Sequence, residues 1–267
     1  PPVIHDRLRP MASGQGTHDI VVAGLSQPLS DYAEQVFIRA TLTRYSPPIS
    51  ELLDYLTGFG ASSVKLLHVM ANGEDYALDS ATREQLKAEY TKLARRFLVG
   101  APAGDLSAAD FFAGYMAHFC SGQKRRLFYS AGVELLIVSA SGGLYPHPDL
   151  AEQEGYRLGH VATGLDREKL AWWRSFFDVD SRPVCCDCWA RYICGGGCLS
   201  AAIKLHGTPH LPIEAECELL RHLIQLAIWV HLELREKQPQ VFLSTLPVLG
   251  FNLPHGGSHA HNQTARL

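Results

Sequence analysis

The chain has 267 residues, of which 46% are hydrophobic and 19% charged, and its formal net charge is -3. This length forms one large or two ordinary domains and buries a core without help from disulfides. The weak negative charge excludes the basic footprint of a nucleic-acid-binding protein. Since no apolar run reaches membrane-spanning length, we expect a globular protein with neither a nucleic-acid nor a membrane partner.

The first hundred residues predict helices that alternate with strands. A helix is expected after Thr17, followed by a strand over Val36–Leu42 and a second strand over Val64–Met70. The apolar residues between the strands have helical spacing: Ile49, Leu52, Leu53 and Leu56. Strand, helix and strand at this spacing predict a βαβ unit with parallel strands. A long amphipathic helix is expected next, with an apolar face formed by Leu86, Tyr90, Leu93 and Phe97.

Shorter elements are predicted in the second half. Residues 107–119 are expected to form a helix that ends at Cys120. Residues 133–146 are typical of a hairpin that turns at Ser141, Gly142 and Gly143. A short helix with Leu170, Trp173 and Phe177 on one side precedes the cysteine-rich loop.

The C-terminal part predicts one long helix and a tail. The helix covers residues 214–237, and its predicted apolar stripe contains Cys217, Leu220, Ile224, Ile228 and His231. Residues 238–267 form the tail. Its polar end is rich in glycine and histidine, so we expect it to be partly disordered.

The cysteines carry the strongest chemical signal. Five of the seven lie in the fourteen residues from Cys185 to Cys198. An odd count in a chain of this size argues against a secreted disulfide framework and favours reduced, cytoplasmic thiols. The spacing is Cys185-x2-Cys188-x5-Cys194-x3-Cys198, with Cys217 further on.

Three interpretations of these thiols are open. Short spacings suit an iron–sulfur cluster held by thiolates, and the three glycines Gly195–Gly197 permit a tight wrap. A zinc site is the second interpretation, although zinc ligands usually form two separated pairs. Inert buried thiols are the third. Cys186 lies outside the spacing and is interpreted as a bystander.

The cysteine run resembles the SPASM domain, the auxiliary-cluster domain of radical S-adenosylmethionine (SAM) enzymes. The resemblance implies that Cys185, Cys188, Cys194 and Cys217 hold an outer [4Fe-4S] cluster, and that Cys198 serves an inner one. The upstream hairpin departs from the family, because His147 stands where the family has a cysteine. The inner cluster is then either absent or held by an unusual set made of Cys198, Cys120 and His147.

The N-terminal half resembles the later strands of the radical SAM barrel. The resemblance implies an α/β fold in which residues 1–105 form the C-terminal part of a partial (β/α) barrel. Residues 106–237 then form a small α+β SPASM domain. It further implies S-adenosyl-L-methionine as a cofactor in the full-length enzyme, contacted by Arg39 and Met70.

The Cys-x3-Cys-x2-Cys loop that generates the radical in this family does not occur in the sequence. We therefore expect a C-terminal part of a longer enzyme that is inactive alone. The resemblance implies an oxidoreductase-type maturase that modifies a peptide or protein, with or without a leader-peptide-binding partner. The alternative is a non-catalytic peptide-binding module stabilised by an iron–sulfur cluster or zinc.

Overall fold

The structure is a computed structural model that describes residues 1–71, 73–104 and 109–248. Its N-terminal elements are the helices α1 (Pro2–Leu8) and α2 (His18–Tyr32), strand β1 (Phe37–Leu42), helix α3 (Ile49–Thr57), strand β2 (Ser63–His68) and helix α4 (Ser80–Gly100). The middle elements are helix α5 (Ala109–Ser121) and the strands β3 (Ile137–Val138), β4 (Gly143–Tyr145), β5 (Gly159–His160) and β6 (Gly164–Leu165). The last are the helices α6 (Arg167–Phe177), α7 (Arg191–Cys194), α8 (Leu199–His206), α9 (Glu214–Lys237) and α10 (Pro239–Val248).

The predicted βαβ unit is confirmed. Strands β1 and β2 pair in parallel, with Arg39 opposite Lys65. Burial alternates along β1, because successive side chains of a strand point to opposite faces. Helix α3 covers one face of the pair with the four residues that the spacing predicted, all of them buried.

One hydrophobic cluster, here called the large core, joins the β1–β2 pair to the helices. Buried residues of α3, α4, α5 and α9 all contribute to it. Among the described residues it contains Leu42, Ile49, Leu52, Leu53, Leu56, Val64, Leu86, Tyr90, Leu93, Ala94, Phe97, Ala101, Phe112, Met116, Leu219, Leu223, Leu226, Ala227, Val230 and Leu234. Because α9 lies in this core, the segment after the cysteine run packs against the first hundred residues.

A second cluster, the small core, lies beneath the antiparallel strands β3–β6. It contains Leu127, Ala131, Leu150, Leu158, Trp173, Phe177 and Leu199 among the described residues. The indole N–H of Trp173 donates to the Ala131 carbonyl oxygen at 2.7 Å, which satisfies the one polar group that this buried ring carries. The predicted hairpin is confirmed as the antiparallel pair β3–β4.

Several predicted boundaries need correction. Strand β2 ends at His68, so Met70 lies beyond it. The cysteine run is not wholly loop, since α7 ends at Cys194. The tail begins with a helix, α10, which packs Val241 and Phe242 on the large core. The polar end of the tail lies outside the described residues.

The buried face of α9 is also broader than the predicted stripe. Ile224 and His231 are buried, but Leu220 and Ile228 are only half-buried. The most buried positions of the helix are Leu219, Ile224, Ala227, Val230 and Leu234. The face turns toward them because α9 packs against α4, α5 and α10 together. In the part of the chain that the structure describes, no helix is long and apolar enough to cross a membrane.

Candidate metal centre

The cysteine run lies between α6 and α8 and is folded into two tight turns. The amide of Cys188 donates to the Cys185 carbonyl at 3.0 Å, and the amide of Cys194 donates to the Ala190 carbonyl at 2.8 Å. Cys217 comes from a different segment, the first turn of α9. The thiols predicted for the outer site therefore come from two parts of the chain.

Burial and neighbouring thiols together raise the pKa of three of these cysteines, Cys185, Cys194 and Cys217. For Cys185, burial raises the pKa, the charge of Arg182 opposes that effect, and the thiols of Cys188 and Cys186 add to it. Burial also raises the pKa of Cys194, with Cys185 and Cys188 as further contributors. Burial raises the pKa of Cys217 to about 12, and the nearby thiol of Cys194 is the next largest cause. Cys185, Cys194 and Cys217 thus lie in a region that disfavours their ionisation, and a metal or cluster must deprotonate them when it binds.

The three glycines after Cys194 shape this region. Gly195, Gly196 and Gly197 all have positive φ angles, of 75°, 91° and 72°, a region that residues with a Cβ rarely adopt. The backbone N–H groups of Gly196 and Gly197 donate to the sulfur of Cys194, and this lowers the pKa of that thiol against the effect of burial. The wrap predicted for the glycines is thus present.

Polar contacts hold the turn that presents Cys194. Asp180 accepts from Arg191 at 3.1 Å and from the Tyr192 hydroxyl at 3.1 Å. The side chain of Arg125 donates to the Ile193 carbonyl at 2.9 Å. Trp189, in the same run, is 50% exposed. The turn is therefore anchored by charged groups rather than by this indole.

Two features mark the region as adapted to an anionic group. Arg182 is fully buried, and its Nε and Nη2 have no hydrogen-bond partner among the described residues. Val184, one residue before Cys185, has a φ angle of +67°, which is an outlier for a β-branched residue. Such strain tends to occur at functional sites. A thiolate-held cluster would supply negative charge beside Arg182, so the residues present fit such a group.

Among the described residues, no group of three or more His, Cys, Asp or Glu side chains is arranged to hold a metal ion.

A second set of polar groups surrounds Cys198. Its thiol lies 3.2 Å from the Ser200 hydroxyl. Burial acts to raise the pKa of Cys198, but hydrogen bonds with His147, Ser200 and the Ala201 amide outweigh it, so the pKa is lowered. The Asp149 amide donates to Nδ1 of His147 at 3.1 Å, which leaves Nε2 as the nitrogen that carries the proton or binds a metal.

The structure thus brings together two members of the predicted inner set. The third, Cys120, lies exposed in the last turn of α5. Burial raises the pKa of Cys120, and the charge of Arg235 opposes that effect. Arg235 lies near the C-terminal end of α9, whereas the proposed ligand Cys217 lies near its N-terminal end. The groups that shift the pKa of Cys120 include neither Cys198 nor His147, and the hydrogen-bonded pair of those two stands without it.

The sheet region contains the predicted cofactor residue Arg39. A cavity of about 450 Å³ lies between α1, α2, α3 and β1, and Arg39 lines it. The polar groups nearby include His18 and Tyr55, which form a 2.7 Å hydrogen bond. This volume is in the range of small-molecule sites. Met70 is half-buried and is not among the residues that line the cavity.

The sequence reasoning missed three groups that the structure places at these sites. Arg182 precedes the first cysteine of the run by three residues, and a basic residue beside thiols was the available signal. Ser200 and Asp149 were missed because they join Cys198 through folding, with Ser200 donating to Asp149 at 3.2 Å. Nothing in the local pattern around Asp149 pointed to that contact.

Comparison with known proteins gives similarity of structure only. No family model and no curated protein matches the sequence. The fold is similar to native anSMEcpe with bound AdoMet and Cp18Cys peptide, with a TM-score of 0.64 and 15% identity over 89% of this chain and 67% of that chain. Hexahistidine-tagged anSMEcpe with bound AdoMet gives a TM-score of 0.63 and 15% identity over 91% and 66%.

anSMEcpe is a radical SAM/SPASM anaerobic sulfatase maturase. The chain spans about two thirds of the length of these structures, with 67% covered in the first. At this identity the likeness shows the fold, which is mixed α/β with helices and small sheets, similar to that of a radical SAM enzyme. The expected α/β fold class agrees with this likeness.

Proposed function

We propose that this chain is part of a radical SAM/SPASM maturase that modifies a peptide or protein. In this proposal Cys185, Cys188, Cys194 and Cys217 hold an auxiliary [4Fe-4S] cluster. The observation that carries the proposal is that Cys185, Cys194 and Cys217, from two segments, act on the buried Arg182, while Cys188 is joined to Cys185 by a backbone hydrogen bond. When bound, such a cluster supplies one-electron transfer.

The residues of this chain have distinct parts in that arrangement. The thiols give up their protons when the cluster binds. The Gly196 and Gly197 amides hold the Cys194 sulfur in place by donating to it. Burial of Cys185, which is 6% exposed, keeps water from the inner side of the site. Together these contacts orient the ligands before the cluster arrives.

The sheet region supports a cofactor and a substrate in the complete enzyme. The similar structures contain AdoMet, and two of them also contain a peptide. Arg39 lines the cavity beside β1 and would offer a guanidinium to the carboxylate of S-adenosyl-L-methionine. Met70 would lie further along, after β2. A peptide or protein substrate, with or without a leader-peptide-binding partner, is the class that this fold family takes.

For the second, inner cluster we propose two of the three predicted ligands, His147 and Cys198. His147 is close enough to Cys198 to lower the pKa of that thiol, and the two would supply two ligands of the types that Rieske-type centres combine. Cys120 is the third candidate, and it lies beside Arg235 instead. Iron in excess of one cubane would support this second site.

The test is anaerobic reconstitution followed by iron, sulfide and zinc analysis. We expect about four irons and four sulfides per chain from the outer site. Cys194→Ala should reduce both to near zero. Cys186→Ala is the matched control, because Cys186 adjoins Cys185 and is not a proposed ligand, and it should leave both unchanged. Equal loss in the two variants would contradict the assignment.

The alternative function is a peptide-binding module stabilised by zinc. The absence of a Cys-x3-Cys-x2-Cys loop from the sequence favours a non-catalytic role for this chain, and four thiolates are also a structural zinc set. Zinc without sulfide in the purified protein would establish this alternative. Cleavage of S-adenosyl-L-methionine by this chain alone would contradict both functions as stated here.

A further inference from the structure

The side chain of Arg182 is the most unusual charged group in the described part of the chain. It is 0% exposed. Its Nη1 donates to the Gly196 carbonyl at 2.6 Å, while its Nε and Nη2 have no partner among the described residues. A buried guanidinium with unpaired donors is strongly unfavourable, so a group of opposite charge is expected to face those two nitrogens.

The groups that face Arg182 are thiols. Burial lowers the pKa of this arginine, and Cys185, Cys194 and Cys217 are the groups that oppose the effect. No carboxylate in the described residues is among them. An arginine stays protonated even when buried. Its counter-charge therefore has to come from these sulfurs once they are thiolates, or from an anionic group that they hold.

Gly196 couples this arginine to the ligand turn. Its carbonyl accepts from Arg182, and its N–H donates to the sulfur of Cys194. A Cβ at position 196 would overlap Nη1 of Arg182. The guanidinium is thus fixed at close range to the backbone that wraps the site, with two of its donors left for another acceptor.

The geometry points to Arg182 as a hydrogen-bond donor and fixed positive charge for the iron–sulfur cluster, one that raises its reduction potential. This inference rests on the proposed function. Reduction adds one electron from an external reductant and makes the cluster more negative. A buried cation beside it stabilises the reduced form more than the oxidised form, because Coulomb interactions are strong where water is excluded. Hydrogen bonds to cluster sulfurs act in the same direction.

The experiment is a redox titration of the reconstituted chain with dithionite, followed by electron paramagnetic resonance. Arg182→Met removes the charge and both donors. We expect it to load iron and sulfide and to lower the reduction equilibrium constant at least tenfold, which is about 59 mV for a one-electron couple. Arg182→Lys keeps the charge and loses the planar fork of N–H donors. Its reduction potential should therefore lie between those of the wild type and Arg182→Met.

The matched control is Arg174→Met, which removes an exposed arginine of α6 and should leave the potential unchanged. A loaded Arg182→Met variant with the wild-type potential would overturn the role of Arg182 and leave the cluster assignment intact. If the Arg182→Met variant does not bind iron and sulfide, the Arg182→Lys variant provides the test. A wild-type reduction potential in Arg182→Lys would overturn the hydrogen-bonding role of Arg182. Wild-type protein that binds zinc and no sulfide would instead overturn the proposed function.

Discussion

The two cores of this molecule are built on different physical principles. The large core buries apolar residues from four helices and two parallel strands. The small core is less than half that size among the described residues, and the cysteine turn beside it is held by Asp180, Arg191 and Arg125. A region with little apolar burial and many polar contacts tends to need a metal for stability. The large core is held mainly by apolar burial.

The sharpest test of this contrast is removal of the bound group. Structural metal sites contribute roughly 10 kcal/mol or more to folding in small domains. We therefore expect chelated protein to be cleaved first within residues 178–198, while α3 and α4 stay protected. Limited proteolysis of reconstituted and chelated protein, read by mass spectrometry, measures this. Identical cleavage patterns would mean that the cysteine region is stable without a ligand.

The large core should respond to cavities instead. Phe97 is 1% exposed and stacks on Phe112 with ring centroids 6.1 Å apart. Phe97→Ala should lower the free energy of unfolding by about 3–5 kcal/mol. Val99, on the same helix, is 79% exposed, and Val99→Ala should change the same quantity by less than about 0.5 kcal/mol. Urea unfolding of both variants checks this, and equal effects would show that α4 does not carry the core.

Two neighbouring glycines separate steric contact from backbone strain in the cysteine region. Both have positive φ, but a Cβ at Gly196 would overlap Arg182, whereas one at Gly197 meets nothing within 4 Å. Gly197→Ala should cost about 1–2 kcal/mol for the φ angle alone. Gly196→Ala should cost about 1–3 kcal/mol more. Chemical unfolding measures both. Equal costs would contradict the close approach of Arg182.

Local patterns predicted the large core well. The spacing of Ile49, Leu52, Leu53 and Leu56 predicts burial as soon as the helix packs on a sheet. The structure buries all four. The burial face of α9 was predicted less well. Its neighbours α4, α5 and α10 come from distant segments, so which side is most buried depends on packing that a helical period does not contain.

The candidate site was likewise predictable only in part from the local sequence. The cysteine spacing was local information, and it pointed to the ligands without the structure. Arg182 and the contact of His147 with Cys198 depend on how loops fold over one another. The signal at His147 was its place in the hairpin, while Asp149 carried none. Its link to Lys204, at 2.9 Å, appears only in three dimensions.

A smaller effect is expected from a helix cap that borders the small core. Asp166 accepts from the amides of Glu168 and Lys169 at 3.0 and 3.1 Å and so caps α6. Asp166→Ala should lower the free energy of unfolding by about 1 kcal/mol. Asp166→Asn retains a capping oxygen, so it should lower the free energy of unfolding by a few tenths of a kcal/mol at most. If both variants lose the same amount, charge rather than capping is responsible.

The smallest expected effect concerns pH. The hydrogen bond from Lys204 holds the pKa of Asp149 below its usual range, and that of Ser200 adds to it. A lowered folded-state pKa gives stability that is present above the unfolded value of about 3.9 and is lost as the pH falls through the folded value. Because the carboxylate is 44% exposed, solvent screening keeps this contribution small.

Lys204→Met should weaken the loss of stability between about pH 5 and pH 2 without altering stability at the acid end. The measurement is the free energy of unfolding of both proteins across that range. An unchanged profile would show that the Asp149 carboxylate is held by Ser200 and His147 without Lys204. A profile that flattens would place a titrating ion pair beside Cys198. The cysteine region would then combine a ligand-dependent turn with a salt-bridged edge.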